Sequence, residues 1–245
     1  MDLGLKGKRA LVVGGSGFIG RAVAARLLDE GAGVVLAARD ADRLARAVAG
    51  LAPHGDAASV QLDTRDEAAV TAGVQRAVDT LGGLDILVNT GAPSARAVMA
   101  GDPNDPAAVA DAFEGKAIGY LRCCLAVLPR LRDQAWGRIV NISGANAFLT
   151  ASLIGSVRNV AVATVTKNLA DQLYGSGVTV NVIHPGIVDE RTPVPGSDAY
   201  APARQGRTSA DEVAALTTYL CSEQASTISG VAITIGHESP GIIRY

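Results

Sequence analysis

Short apolar runs rich in β-branched residues alternate with longer Ala-, Leu- and Val-rich stretches of helical period along almost the whole chain, and that alternation leaves few folds open. Strand, helix and strand in repetition close into a parallel sheet. Helices cover both faces of such a sheet, so its strands read as continuous apolar runs. The pattern predicts strands at 9–13, 33–38, 59–62, 85–89, 138–142, 178–184 and 231–235, with helices at 18–30, 41–51, 66–81, 106–131, 154–174 and 209–222. The expected fold is α/β: a doubly wound parallel sheet with helices on both faces, in one domain spanning 1–245. A chain of 245 residues that is 48% hydrophobic can bury a single core of that size. Gly31 is placed to cap the first helix, and Thr208 or Ser209 with Glu212 resembles a capping box for the last. One stretch, 185–207, breaks the alternation with Pro193, Pro195, Gly196 and Pro202, and a connection of that length reads as a lid or substrate loop.

A charged fraction of 19% and a net charge of -2 give no basic footprint for nucleic acid and no acidic tail. The expected partner is a small-molecule substrate or a coenzyme. The start of the chain has no continuous apolar stretch, so neither a signal peptide nor a membrane anchor is expected, and the cytoplasm is the expected location. Cys123, Cys124 and Cys221 sit in apolar helical patterns as buried thiols, and no residues at ligand spacing suggest a metal.

The first strand runs directly into Gly14-Gly15-Ser16-Gly17-Phe18-Ile19-Gly20 and then a helix. Glycines there let the backbone approach a pyrophosphate, and the helix start offers unpaired N–H groups to the anion. This is the Rossmann arrangement, with a ligand-free tight turn as the competing reading. At the end of the second strand stands Ala37-Ala38-Arg39-Asp40. A guanidinium at Arg39 can pair with a 2′-phosphate, which favours NADP(H) over NAD(H). The plain alternative is a solvated surface arginine neighbouring Asp40 and Asp42.

With these residues the chain resembles the short-chain dehydrogenase/reductase superfamily over nearly its whole length. The spacing of Gly14, Gly17 and Gly20 is closer to its extended and atypical members. Leu62-Asp63-Thr64 resembles the family's adenine-side aspartate, and Asn89-Thr90-Gly91-Ala92 its Asn-Asn-Ala-Gly turn. The strands through Ser143 and through His184-Pro185-Gly186 match closely, and the resemblance places Pro185, Gly186, Ile187 and Val188 beside a nicotinamide. It also implies a homodimer or homotetramer, joined through the long helices at 107–131 and 154–174, with His237 and Glu238 near further subunit contacts.

The family's Ser-Tyr-Lys set does not carry over. Aligning on Thr166-Lys167-Asn168-Leu169-Ala170 puts Gly155 where the family has its tyrosine and Asn159 where it has its lysine. Lys167 lies about two helical turns downstream and does not substitute. The family's Ser-Ser pair is Ser143-Gly144, and its Asn-x-x-Gly is Lys116-Ala117-Ile118-Gly119. A rearranged site is read from Ser143, Asn146, Ser152, Ser156, Arg158 and Asn159, with Lys116 and His184 near. In that reading Asn159 bonds the ribose, and Lys116 or Arg158 supplies positive charge near a developing oxyanion. The proton donor is left open among Ser143, His184, Tyr200 on the lid, and water. Tyr120 and Tyr174 read as helix-packing residues, His184 also as a structural hydrogen-bonder, and Arg158 also as a surface arginine at a subunit contact. The function implied is an NADP(H)-dependent oxidoreductase acting on a small carbonyl, enone or imine. A catalytically degenerate nucleotide-binding or regulatory homologue, or a non-redox cyclase, isomerase or dehydratase, stands as the alternative.

Overall fold

The computed structural model describes residues 2–91, 102, 104–150, 152–190 and 206–236. Strands β1 (Arg9–Val13), β2 (Gly33–Ala38), β3 (Ala57–Gln61), β4 (Ile86–Asn89), β5 (Gly137–Ile142), β6 (Val178–Pro185) and β9 (Ala232–Ile235) make a seven-stranded parallel sheet in the order β3-β2-β1-β4-β5-β6-β9. That order reverses direction at β1, and ligands of such sheets bind outside the carboxyl ends of the strands beside the reversal. β1 pairs in register with both neighbours: Val12 stands against Leu36 of β2 and against Val88 of β4.

Alternation within each strand supplies both layers of the core. Ala10 and Val12 join one apolar cluster with Val34, Leu36 and Val88, while Leu11 and Val13 join the other with Val35, Ala37 and Leu87. The first layer is covered by α1 (Phe18–Asp29), α2 (Ala41–Gly50) and α7 (Ala210–Leu220). The second is covered by α3 (Glu67–Leu81), α5 (Gly119–Asp133) and α6 (Leu153–Gln172). Cys123, Cys124 and Cys221 are all buried free thiols within these layers.

Local signals act where the sequence places them. After α1, Gly31 takes φ +80 while its N–H bonds Leu28 O and the Ala32 N–H bonds Leu27 O, the paired pattern that ends a helix on a left-handed residue. Ser209, not Thr208, is the N-cap of α7: its hydroxyl accepts from Glu212 N and the Glu212 carboxylate accepts from Ser209 N at 2.7 Å.

Two features differ from the sequence expectation. The single helix expected at 106–131 is α4 (Pro106–Phe113), a π-helical turn (Glu114–Ile118) and α5 in continuous succession. In that run Gly115 and Gly119 lie so close to Arg65 and Thr64 that an added Cβ would stand 2.7 Å and 2.8 Å from their side-chain atoms. The expected lid at 185–207 contains pairing at both ends: β7 (Ile187–Asp189) and β8 (Arg207–Ser209) form a small parallel sheet, with Arg207 Nε 3.1 Å from Asp189 Oδ2. Residues 191–205 between them, including Tyr200, and His237 and Glu238 lie outside the described residues.

Candidate active site

β1 delivers the chain into the turn, and the turn closes on the neighbouring strand ends. Gly14 N and Gly15 N both donate to Ala37 O, and Gly14 takes φ +80. A Cβ on Gly14 would stand 2.3 Å from Gly91 N, and one on Gly20 would stand 2.6 Å from Gly14 O, so backbone alone fits at both points. Gly17 is the N-cap of α1 and offers no side chain to its first turn. The N–H groups of Phe18, Ile19 and Gly20 precede any intrahelical partner and follow the C-terminal end of β1, an arrangement that could hold an anion. Ser16, nearly buried, is held by Arg21, whose guanidinium donates to Ser16 O at 3.0 Å and to Glu190 at 2.8 Å. A groove of about 510 Å³ runs beside this turn between α1 and α2, bordered by Ser16, Phe18, Arg21, Arg43 and Arg46.

At the tip of β2, Arg39 is exposed, and its guanidinium makes no hydrogen bond or ion pair among the described residues. Its acidic neighbour is engaged elsewhere, since Asp40 caps α2 by accepting from Arg43 N at 2.9 Å. Asp63 and Thr64 follow β3; the Asp63 carboxylate shapes its own loop by accepting from Arg65 N at 3.0 Å. Asn89 is fully buried and turned into the sheet, donating to Asn141 Oδ1 at 2.9 Å, so only its backbone and that of Gly91 reach the strand edge.

On the other side of the reversal, Pro185 ends β6 and Gly186 is pinned between two strands. Gly186 N donates to Ile235 O at 2.9 Å, and a Cβ there would stand 2.1 Å from Gly206 O. Ile187 N donates to Gly206 O, and Val188 pairs with Thr208, so the backbone of this segment is fixed by β8.

Between these two sides the structure brings together Ser143, Lys116, Asn159 and Arg158, all buried. Lys116 reaches in from the π turn, its Nζ 2.9 Å from Ser143 O and 3.0 Å from Asn159 Oδ1. Ser143 Oγ donates to Asn159 O at 3.1 Å, tying the end of β5 to α6. Burial, helped by the Arg158 charge, holds the Lys116 amine well below the usual lysine range, and burial also lowers Arg158 itself. Arg158 is 7% exposed, which excludes the surface-arginine alternative. Tyr120 is buried beneath, its hydroxyl donating to Ile142 O at 3.0 Å. His184 is fully buried; its Nδ1 sits 3.1 Å from Gly144 O, which requires a proton on Nδ1, and its ring packs edge-on to Phe148.

Sequence reasoning gave no role to Asn141 or Thr166. They continue the buried chain from Asn89, with Asn141 Nδ2 donating to Thr166 Oγ1 at 2.9 Å. A Cβ on Gly155 would stand 2.6 Å from Asn146 Nδ2, so Asn146 occupies the space over that position. Tyr174, expected in packing, is 95% exposed because it lies past the end of α6. Lys167 points to solvent and pairs with Asp171 one turn on. Among the described residues no group of three or more His, Cys, Asp or Glu side chains could hold a metal ion, and no helix is long and apolar enough to cross a membrane.

Residues 8–199 match the family described as short chain dehydrogenase. An uncharacterised oxidoreductase of Staphylococcus saprophyticus is 34% identical over 197 residues, covering 78% of this chain and 82% of that protein. A short chain dehydrogenase from Burkholderia cenocepacia, solved with NADP, is 31% identical with a TM-score of 0.76 over 94% of this chain and 97% of its own. The L-sorbose reductase of Gluconobacter frateurii, solved with NADPH and L-sorbose, is 28% identical with a TM-score of 0.79 over 96% of this chain and 97% of its own. The family match over residues 8–199, the relative of 34% identity and the likeness of the fold agree: the chain belongs to the short-chain dehydrogenase family.

Proposed function

We propose that this chain is an NADP(H)-dependent oxidoreductase that acts on a small carbonyl, enone or imine substrate through a site without the family's Ser-Tyr-Lys set. The observation that carries the reading is the open first turn of α1 beside the unpaired Arg39 guanidinium at the tip of β2. The turn's N–H groups hold the pyrophosphate, and Arg39, with Arg43 nearby on α2, takes the 2′-phosphate. Asp63 and Thr64 border the adenine side, backbone at Asn89 and Gly91 lines the middle, and Pro185, Gly186 and Val188 border the nicotinamide. Two relatives of 31% and 28% identity are solved with NADP or NADPH, which agrees with this assignment.

When bound, the coenzyme supplies hydride chemistry. The chain's part is orientation and charge. Asn159 meets the ribose, and Arg158, whose guanidinium keeps its proton more tightly than an amine does, is the fixed positive charge for a developing oxyanion. The hydroxyls of Ser143 and Tyr120, the Nδ1–H of His184 and the Lys116 amine already face oxygen acceptors, so proton delivery falls to water or to Tyr200, which lies outside the described residues. Those occupied donors also favour a second reading, a nucleotide-binding homologue without turnover.

The proposed protein works in the cytoplasm as a homodimer or homotetramer. Leu153, Val157 and Val160 share one face of α6 and are 48%, 36% and 45% exposed, which gives an apolar stripe for a second subunit. Fluorescence titration with NADPH and NADH tests the coenzyme assignment, with tighter NADPH binding expected. Binding of neither coenzyme at millimolar concentration overturns it. Stereospecific loss of label from the nicotinamide during turnover separates the reductase from the silent binder.

A further inference from the structure

Four positions around the buried amine fit one another. Lys116 lies on the π turn and Asn159 on α6, both at least nine-tenths buried, and they meet at 3.0 Å through Nζ and Oδ1. The family pattern has the amide on the first of these elements and the amine on the second, so both side-chain types are retained while the elements that carry them are exchanged. The Asn159 Oδ1 is held by Lys116, and its Nδ2 has no hydrogen-bond partner among the described residues. That Nδ2 lies 2.8 Å from where a Cβ on Gly144 would stand. Gly144 has φ 175, extended backbone that any residue adopts, so glycine at this position is explained by space alone.

A side-chain amide can turn over, and its two ends differ chemically. A lysine nitrogen donates and never accepts when charged, and even as a neutral amine it has two N–H groups, matched here by Ser143 O and Asn159 Oδ1. The charged form, having no lone pair, fixes the oxygen end of Asn159 toward Lys116, and the neutral form is satisfied by the same arrangement. The nitrogen end is then forced to the other side, over Gly144 at the C-terminal edge of β5.

We propose that Lys116 and Asn159 are an exchanged amine–amide pair, in which Lys116 locks the Asn159 amide so that Nδ2 is presented over Gly144 as the donor to a ribose hydroxyl oxygen of bound coenzyme. Lys116 is a positioning residue in this arrangement. Asn159 is the group that touches the ligand, and the missing side chain at Gly144 is a condition of its placement. The inference rests on the coenzyme reading given above.

The test is a double-mutant cycle on the full chain with Lys116→Asn, Asn159→Lys and the two combined, read by NADPH titration and by melting of the coenzyme-free protein. Lys116→Asn removes the lock and lowers NADPH affinity by about tenfold, the worth of one hydrogen bond. Asn159→Lys sets a second amine beside Lys116 and Arg158, and lowers both affinity and melting temperature. The combined variant returns to within about threefold of the parent affinity because the pair is restored in the other order. Losses that multiply in the combined variant, or parent-like affinity in either single variant, overturn the proposal. If the combined variant does not fold, Gly144→Ala decides: its Cβ meets Nδ2, so NADPH affinity falls about tenfold in a chain that still folds, with a lower melting temperature from the crowding. Unchanged affinity there also overturns the proposal. A parent protein that binds neither NADPH nor NADH rejects the coenzyme reading itself, whereas a parent that binds while the cycle is additive rejects the exchanged pair alone.

Discussion

Replacing Lys116 by Met separates the electrostatics of the buried site from its packing, because the two leave different marks on stability. The folded Lys116 amine lies well below its ordinary value of 10.5, chiefly through burial and then through the Arg158 charge. The unfolded chain therefore binds one more proton than the folded chain between the two values. Stability attributable to this group rises with pH across that window, by up to about 1.4 kcal/mol per pH unit, and levels off below the folded value. Met cannot titrate, so the variant loses that slope. It also leaves Ser143 O and Asn159 Oδ1 without their donor, a cost of about 1–3 kcal/mol each that is constant with pH. The groups packed around the amine do not mimic the signal. Burial raises Tyr120 and pushes Cys124 up to about 12, and Arg158 is lowered from an arginine's far higher starting point. Urea unfolding at steps from about pH 7.5 to 10 reads both terms, with the gap between parent and variant widening as pH rises. Parallel stability curves would show that the amine is not held below its ordinary value, and the electrostatic account of the site would fail.

Arg39→Ala is expected to weaken NADPH binding about 10- to 100-fold, the worth of charge-assisted hydrogen bonds to one phosphate, while NADH binding stays nearly unchanged. Titration with both coenzymes checks this, and equal losses reject the 2′-phosphate role. Gly20→Ala puts a methyl 2.6 Å from Gly14 O and 2.8 Å from Gly15 Cα, both backbone, so the turn has to move. A loss of about 1–3 kcal/mol in stability and of most NADPH affinity is expected by melting and titration. A combined Val157→Asp, Val160→Asp variant charges the exposed stripe of α6 and is expected to shift the mass seen by light scattering toward the monomer without loss of the folded spectrum; an unchanged mass places the subunit contact elsewhere.

The sheet was legible because burial on both faces leaves a strong mark: a strand such as Leu11-Val12-Val13 has no polar face to confuse the reading. The glycine turn was legible for a related reason, since Gly14 and Gly20 sit where backbone must touch backbone. The π turn was not legible. Its extra residue per turn falls where Gly115 and Gly119 pack against Arg65 and Thr64, a tertiary contact that leaves the local pattern helical. The strands β7 and β8 were hidden in the same way, being three residues each and held by partners 20 residues apart in sequence. At the site, the residue types were readable but their pairing was not. Lys116 and Asn159 each read as a departure from the family pattern, and nothing in the sequence sets the 3.0 Å contact between Nζ and Oδ1 on which the exchanged pair is proposed.

That mutual fit bears on whether the site is rebuilt or decayed. A decayed site loses side chains and keeps the cavities they filled, and apolar or solvated voids then mark the losses. Here the glycines stand under other groups: Gly155 under the Asn146 amide and Gly144 under the Asn159 amide. Gly155→Tyr tests the distinction. In a decayed site the ring drops back into the space once held for it, stability is unchanged or improved, and carbonyl reduction with NADPH rises. In a rebuilt site the new Cβ strikes Asn146 Nδ2 at 2.6 Å, the start of α6 shifts off its Ser152 cap, and about 1–3 kcal/mol of stability is lost with no gain in turnover. Melting and NADPH oxidation assays on the same preparation give both readings, and a stable variant with raised turnover would refute the rebuilt site.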